Sequence, residues 1–179
     1  MGSPQTLSEG ERRIVAAWAV DCAERVLGFF EAEAPEDLRP REAIARARAF
    51  ARGELGAAGE IRRRFAAGGA ARDVRTPAAA AAARAVGQAA AIPHMGAHAL
   101  GAAAYAALSA GLAAPDRPEA ASEEIRWQLA HMTAAARSAL RQLPPVGANR
   151  SGPLGRGLLS SGVLGRLVRE IQTGLMEGT

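Results

Sequence analysis

Two histidines stand four residues apart in a stretch, Gln88 to Leu112, that contains no Asp, Glu, Lys or Arg. Ala and Gly occupy most of its positions, and a helix that is apolar on all sides is a buried one. At about 3.6 residues per turn, His94, His98 and Tyr105 fall on one stripe of such a helix. The few polar groups of the segment therefore point the same way, and this stripe is the first candidate site.

The spacing of His94 and His98 suits two metal ligands on adjacent turns of a helix, but a zinc site needs further ligands. The fold would have to bring His131, Asp21 or Cys22 close to supply them. Two other interpretations stay open, namely hydrogen bonding inside a bundle of small residues, which we favour, and direct contact with a ligand or substrate. We predict neither a metal nor a cofactor.

A second constellation consists of Asp21, Asp37, Arg39 and Arg41, which the sequence places near helix ends. Bidentate pairing of Arg with carboxylates would fix how the first two helices meet, a geometry that Lys does not reproduce. If the same groups faced the histidines, they would form a polar pocket for an acidic or polar ligand. The full candidate pocket is Asp21, Asp37, Arg39, Arg41, His94, His98, Tyr105 and Trp127. No residue receives a catalytic role.

Helices are expected throughout, because Ala dominates a 49% hydrophobic composition in which aromatic residues contribute only 4%. Ser8 and Glu11 have the spacing of a capping box, and Thr76 followed by Pro77 is a typical helix start. Pro93 should kink or break the Ala-rich helix. We predict an all-α, single-domain bundle of about six helices around a central Ala/Gly-rich helix kinked near Pro93.

Three segments are expected along the chain. Residues 1–7 are predicted to be a flexible N-terminal arm, residues 8–146 the helical domain, and residues 147–179 a Gly-rich linker with a C-terminal amphipathic helix. The apolar face of that helix would dock on the body or cap a neighbouring subunit, so a homodimer is possible.

The charge is unevenly distributed. All 22 basic residues are Arg, and net charge is −5 over Met1 to Leu38, +7 over Arg39 to Arg84 and +2 over the remainder. The triplet Arg62 to Arg64 is expected to be exposed. Pairing of neighbouring helices and a nucleic-acid surface would both produce this pattern. We favour pairing and predict no nucleic-acid partner, because Lys is absent and aromatic residues are scarce.

The single cysteine, Cys22, excludes an internal disulfide and is typical of a reducing compartment. The start of the chain has no charged region followed by an apolar one, and the Ala-rich run is interrupted by Pro and Gly. A cytoplasmic, soluble protein without a membrane partner is expected.

Several blocks resemble the immunity-protein-5-like helical family of bacterial polymorphic toxin systems. They run from Trp18 to Leu27, Asp37 to Ile44, Ala83 to Ala89 and His94 to Ala106, with Glu124 to Gln128 resembling the last block of the family. The resemblance implies an all-α domain that neutralises a toxin by binding. It also implies that the recurrent polar set comprises Asp21, Asp37, Arg39, Arg41, His94, His98 and Tyr105.

Two classes of function follow. The first is a non-catalytic immunity or self-resistance protein whose partner is a cognate toxin. The second is a small-molecule binding protein or an enzyme of specialised metabolism that uses a polar pocket with His94, His98, Asp21 and Arg39. In the enzymatic version a His would act as general acid or base. Whether any reaction is catalysed is left open.

Overall fold

The computed structural model describes residues 3–63 and 66–177, and every regular element in those ranges is helical. The α-helices are α1 (Glu9–Glu33), α2 (Arg39–Ala51), α3 (Ala57–Arg63), α4 (Ala66–Gly69), α5 (Pro77–Ala91), α6 (His98–Ala113), α7 (Ala120–Ala130), α8 (Ala134–Leu140) and α9 (Gly162–Glu177). Two short 3₁₀ turns cover Ala70–Arg72 and Leu158–Ser160. The all-α prediction is confirmed for this part of the chain.

Helix α1 begins at the predicted capping box. Ser8 accepts a hydrogen bond from the Glu11 backbone, and the Glu11 carboxylate accepts one from the Ser8 N–H at 2.8 Å. The helical periodicity of the sequence predicts an apolar face of Ile14, Trp18, Val26 and Phe29 or Phe30. The buried face differs from it, because Ile14 is 39% exposed and Phe29 is 41% exposed, whereas Phe30 is buried. Helix α1 contacts α2, α5, α6 and α8. The positions of these four helices determine which side chains of α1 are buried.

The Ala-rich segment forms two helices instead of one kinked helix. Helix α5 ends at Ala91 and α6 begins at His98, with a turn around Pro93 between them. Ser109 near the end of α6 donates to the Ala78 carbonyl near the start of α5 at 2.8 Å, so the two helices are antiparallel. The chain therefore reverses at the turn around Pro93, where a kink was expected. Proline favours a break here because it has no N–H to donate and its ring clashes with the preceding helical turn.

Small residues let α5 and α6 approach closely. A Cβ atom added at Gly101 of α6 would lie 2.4 Å from Gln88 Oε1 of α5 and 2.9 Å from Leu159. Most of the facing positions are buried Ala, and these two helices form the most extensive contact in the described fold. The hairpin of α5 and α6 also packs on α1, and together these three helices make the centre of the core.

The structure contains more helices than the expected six. Besides the division at Pro93, the sequence from about Glu119 to Leu140, whose apolar pattern predicts one helix, is divided into α7 and α8. Thr133 causes the second division, because its side chain accepts a hydrogen bond from Ala136 N at 3.1 Å and caps α8.

Residues 3–7 of the predicted arm are hydrogen-bonded to two other segments. The backbone carbonyls of Gln5 and Thr6 accept hydrogen bonds from Ala97 N and Gly96 N, at 3.0 and 2.9 Å. These contacts supply acceptors for N–H groups of the turn that precedes α6. The arm prediction concerned residues 1–7, of which 1 and 2 lie outside the described residues.

The side chain of Gln5 ties the same segment to the loop before α9. It is fully buried, with Nε2 donating to Ser151 O at 2.8 Å and Oε1 accepting from Leu154 N at 2.9 Å. Helix α9 packs on α6 and α7 through the apolar face that the sequence predicts. The C-terminal helix therefore docks on the body of its own chain.

Replacing Gln5 with Ala is expected to lower the free energy of unfolding by about 1–3 kcal/mol, because the buried Leu154 N–H would lose its acceptor. Denaturant unfolding measures this change, and hydrogen exchange at the Leu154 amide should accelerate. The matched control is Gln142→Ala, which removes an exposed hydrogen bond to Glu11 and should cost less than about 0.5 kcal/mol. Equal losses in the two variants would contradict the role given to Gln5.

Candidate functional site

The structure distributes the eight predicted pocket residues over separate places on the molecule. Asp21 and Trp127 border one shallow surface depression, and Arg39 lies in a different cleft between α2 and α3. His98 and Tyr105 line a third cleft, whereas His94 is exposed in the turn before α6. The fold does not bring them together in a single pocket; ligand binding by the members of each group stays a prediction.

The acids and arginines of the second constellation hold helices together. Arg41 of α2 donates to both carboxylate oxygens of Glu31 of α1, at 2.6 and 2.7 Å. Arg48 of α2 reaches back to α1, where it binds Asp21 at 2.9 Å and also Glu24. The two bonds of Arg41 use the planar guanidinium in the bidentate manner that Lys does not reproduce.

Arg39 joins the connection after α1 to the connection before α5. Its guanidinium donates to Asp37 at 2.8 and 2.5 Å and to Asp73 at 2.5 Å. The hydrogen bond from Arg39 holds the pKa of the Asp37 carboxyl below its ordinary value. All four charges of the second constellation, those of Asp21, Asp37, Arg39 and Arg41, are thus engaged within the chain.

The stripe expected for the two histidines does not form, because His94 precedes the helix that begins at His98. Their ring centres lie 6.4 Å apart and the rings are tilted by 40°. His98 Nδ1 lies 2.8 Å from Gln88 Oε1, and since a carbonyl oxygen only accepts, the Nδ1–H of His98 is the donor. This bond is one of the contacts between α5 and α6.

His98 and Tyr105 lie about two turns apart on the same side of α6. With Gln88 and Arg84 of α5 they line a cleft of about 280 Å³, which we call the His98 cleft. Tyr105 is 3% exposed. Burial raises the pKa of the Tyr105 phenol, and the positive charge of Arg84 partly opposes that shift. The cleft combines an imidazole, an amide, a phenol and a guanidinium within one small volume.

Trp127 belongs to a stacked group on the surface, which we call the aromatic surface and define by Arg25, Phe29, Trp127 and His131. The Arg25 guanidinium lies 3.7 Å from the Trp127 ring centre, and the His131 ring stacks at 4.1 Å. Arg25 also binds the buried Glu124 carboxylate at 2.9 Å. Sequence reasoning placed Trp127 in a polar pocket and missed Arg25, which no local motif marks.

Cys22 lies next to this region but is fully buried. Burial raises the pKa of its thiol, and the negative charges of Glu124 and Asp21 raise it further. The thiol therefore stays protonated and packs as a small apolar group.

A further cleft, which we call the basic cleft, has a volume of about 280 Å³ and opens between α2, α3 and the end of α5. Its charged walls and apolar floor consist of Arg39, Arg46, Arg62, Arg63, Glu42, Glu60, Ala43, Ala47, Ala90 and Pro93. Sequence reasoning expected the Arg triplet to be exposed but assigned it no site. Arg62 and Arg63 are exposed as expected, and Arg64 lies outside the described residues.

No group of three or more His, Cys, Asp or Glu side chains within residues 3–63 and 66–177 is arranged to hold a metal ion. None of the helices described in those ranges has both the length and the hydropathy needed to cross a bilayer.

The comparison with protein families decides what the chain is related to. The model of the family described as "Imm-5 like putative immunity protein" matches residues 5–135. The chain belongs to this immunity protein family. The resemblance predicted from the sequence blocks is confirmed, and neither the curated proteins nor the solved structures compared with the chain gave a match.

The match to the immunity protein family begins at Gln5 and ends within α8. It includes every one of the eight predicted pocket residues and the basic cleft. Helix α9 and the loop that binds Gln5 lie beyond the match, so this chain adds a C-terminal element that packs on the family region.

The single tyrosine of this immunity-family chain permits a direct titration of the His98 cleft. We expect the ultraviolet absorbance of tyrosinate to give Tyr105 a pKa above its ordinary value, and Arg84→Gln to raise that pKa further by removing a favourable charge. Arg126→Gln, a change at an exposed Arg on α7, is the control and should leave the titration unchanged.

The same shift predicts a dependence of stability on pH. Because the folded-state pKa is raised, the contribution of Tyr105 is complete below the unfolded-state pKa of about 10 and is lost as pH rises through the folded-state value. The free energy of unfolding of Tyr105→Phe should therefore decline less steeply at alkaline pH. A lower pKa in Arg84→Gln than in the parent protein would refute this electrostatic account.

Proposed function

We propose that this chain is an immunity protein that protects its host by binding a toxin without catalysing a reaction. The observation that carries the proposal is membership of the immunity protein family over residues 5–135. Binding alone is sufficient for such a role when the immunity protein covers the active site of the toxin or a surface that the toxin needs for its action.

The use made of the polar residues supports a binding role over a catalytic one. Asp21, Asp37, Arg39 and Arg41 participate in ion pairs that link α1, α2 and the connections around them. These pairs fix the relative positions of the helices, which favours a preorganised surface. A rigid surface loses less conformational entropy on association than a mobile one.

Co-expression tests this proposal with the toxin encoded by a reading frame beside the gene. We expect cells that produce the toxin to survive only when the immunity protein is also produced, with protection lost below an equal molar amount. A catalytically inactivated toxin should elute with the immunity protein as a stoichiometric complex. The control is Leu100→Asp, a substitution at a fully buried core position that is expected to prevent folding.

Protection by far less than one molar equivalent would contradict binding and indicate a catalytic mechanism. Failure of the folded protein to protect against, or to bind, any toxin encoded beside its gene would contradict the immunity function itself. A neighbouring biosynthetic gene cluster without a toxin would favour the second candidate function.

That second candidate is small-molecule binding at the His98 cleft. The observation that favours it is the convergence of His98, Gln88, Tyr105 and Arg84 on about 280 Å³ of accessible space. A thermal-shift screen of divalent metals and a metabolite library would detect it. His98→Ala should abolish a genuine shift, whereas His94→Ala, at an exposed position outside the cleft, should preserve it.

A further inference from the structure

We propose that the basic cleft is the part of this protein that receives the toxin, and that it takes an acidic segment of it, with Asp or Glu side chains entering between α2 and α3. This inference rests on the proposed function, because it names the partner surface for the same binding event. It assigns a role to residues outside the predicted pocket, foremost Arg62 and Arg63.

The first argument is that no other residue that the structure describes pairs with the charge of Arg62 or Arg63. Both are exposed, and neither makes an ion pair or hydrogen bond with another described residue. By contrast, the side chains of Arg39, Arg41 and Arg48 are held by carboxylates of the same chain. Two adjacent guanidinium groups at the edge of a concave surface offer several donors to an incoming carboxylate.

The second argument is that α3 is held firmly where it presents these side chains. Arg46 of α2 donates to both oxygens of Glu60 of α3, with the Nε to Oε2 distance at 3.0 Å. Glu60 is only 6% exposed. Because Arg62 follows Glu60 by two residues, this pair fixes the base of the cleft beside it. Arg46 and Glu60 are therefore positioning residues.

The third argument concerns shape and charge together. The floor of the basic cleft is apolar, formed by Ala43, Ala47 and the buried Pro93 among others. Low-dielectric walls strengthen the field of nearby charges and steer ions of opposite sign toward a concave site. Four arginines and two glutamates line the cleft, and the segment from Arg39 to Arg84 to which it belongs carries a net charge of +7. An acidic partner surface is therefore the complementary one.

The aromatic surface is the rival site for a protein partner, since Trp and Arg are enriched at interfaces. The polar groups of this surface, however, already have partners within the chain. Arg25 is bound by Glu124 and lies over Trp127, and His131 Nδ1 lies 2.8 Å from the Trp127 carbonyl oxygen. The basic cleft combines a concave shape with two arginines that pair with no other described residue, and these observations favour it.

The direct test uses a fluorescein-labelled polyglutamate peptide as the probe, with fluorescence anisotropy as the readout. The intact protein should bind polyglutamate and should not bind a polylysine peptide of equal length. Arg62→Glu with Arg63→Glu should weaken polyglutamate binding by roughly tenfold or more, given the loss and reversal of two charge-assisted contacts. Arg62→Lys with Arg63→Lys should retain part of the affinity, because charge remains but bidentate geometry is lost.

The matched control is Arg166→Glu with Arg169→Glu on α9. These two arginines are also exposed and without an ion pair to described residues, so the control changes net charge by the same amount. Thermal unfolding must show that all variants fold. An equal loss of peptide binding in the control would mean that net charge alone governs binding and would overturn the inference, as would the absence of binding by the intact protein.

The survival assay separates failure of this inference from failure of the proposed function. Loss of protection in Arg62→Glu with Arg63→Glu, but not in the α9 control, supports the basic cleft. If the cleft variant still protects while Phe29→Ala on the aromatic surface does not, the cleft assignment is overturned and the immunity function stands. If the intact protein gives no protection while polyglutamate binding depends on Arg62 and Arg63, the acidic-ligand site stands without a toxin.

Discussion

Close contact between α5 and α6 is the constraint on which the rest of the fold depends. Two helices approach closely where side chains are small, and a Cβ atom at Gly101 would require the side chains of Gln88 and Leu159 to move. The hairpin and α1 form the middle of the bundle, and α2, α7 and α9 pack on the hairpin from outside. It also places His98 and Tyr105 at one edge of the pair, where a small cleft remains.

Arginine and carboxylate pairs then determine how the outer helices lie around this hairpin. Arg41 and Arg48 connect α2 to α1, and Arg46 connects α2 to α3. Exposed ion pairs contribute little stability individually, so their main effect is geometric, through the planar guanidinium. These pairs neutralise part of the positive charge of the segment from Arg39 to Arg84. Arg62 and Arg63, which form no ion pair with another described residue, lie beside an apolar floor.

Residues 3–7 connect the turn that follows Pro93 to the loop that precedes α9. Gln5 accepts the Ala97 N–H through its backbone and binds the loop before α9 through its side chain. One residue thus connects the start of the family region, the entrance to α6 and the C-terminal element that lies beyond the family match. That arrangement supports a binding protein whose surface is set before its partner arrives, since the turn, the hairpin and α9 constrain one another.

Local chemistry in the sequence was enough to predict the helices and several of their ends. Ser8 and Thr76 act within one helical turn, and an Ala-rich composition with few aromatic residues favours helix along the chain. Only the tertiary structure decided that Pro93 reverses the chain, that Phe30 is buried while Phe29 is not, and that Arg39 binds Asp73. These outcomes depend on contacts between residues far apart in sequence, where packing of several helices on one another selects the buried arc and the charge partner. The family was recognisable from short blocks, whereas the eight predicted pocket residues were dispersed because helical spacing fixes a face of a helix but not what that face meets.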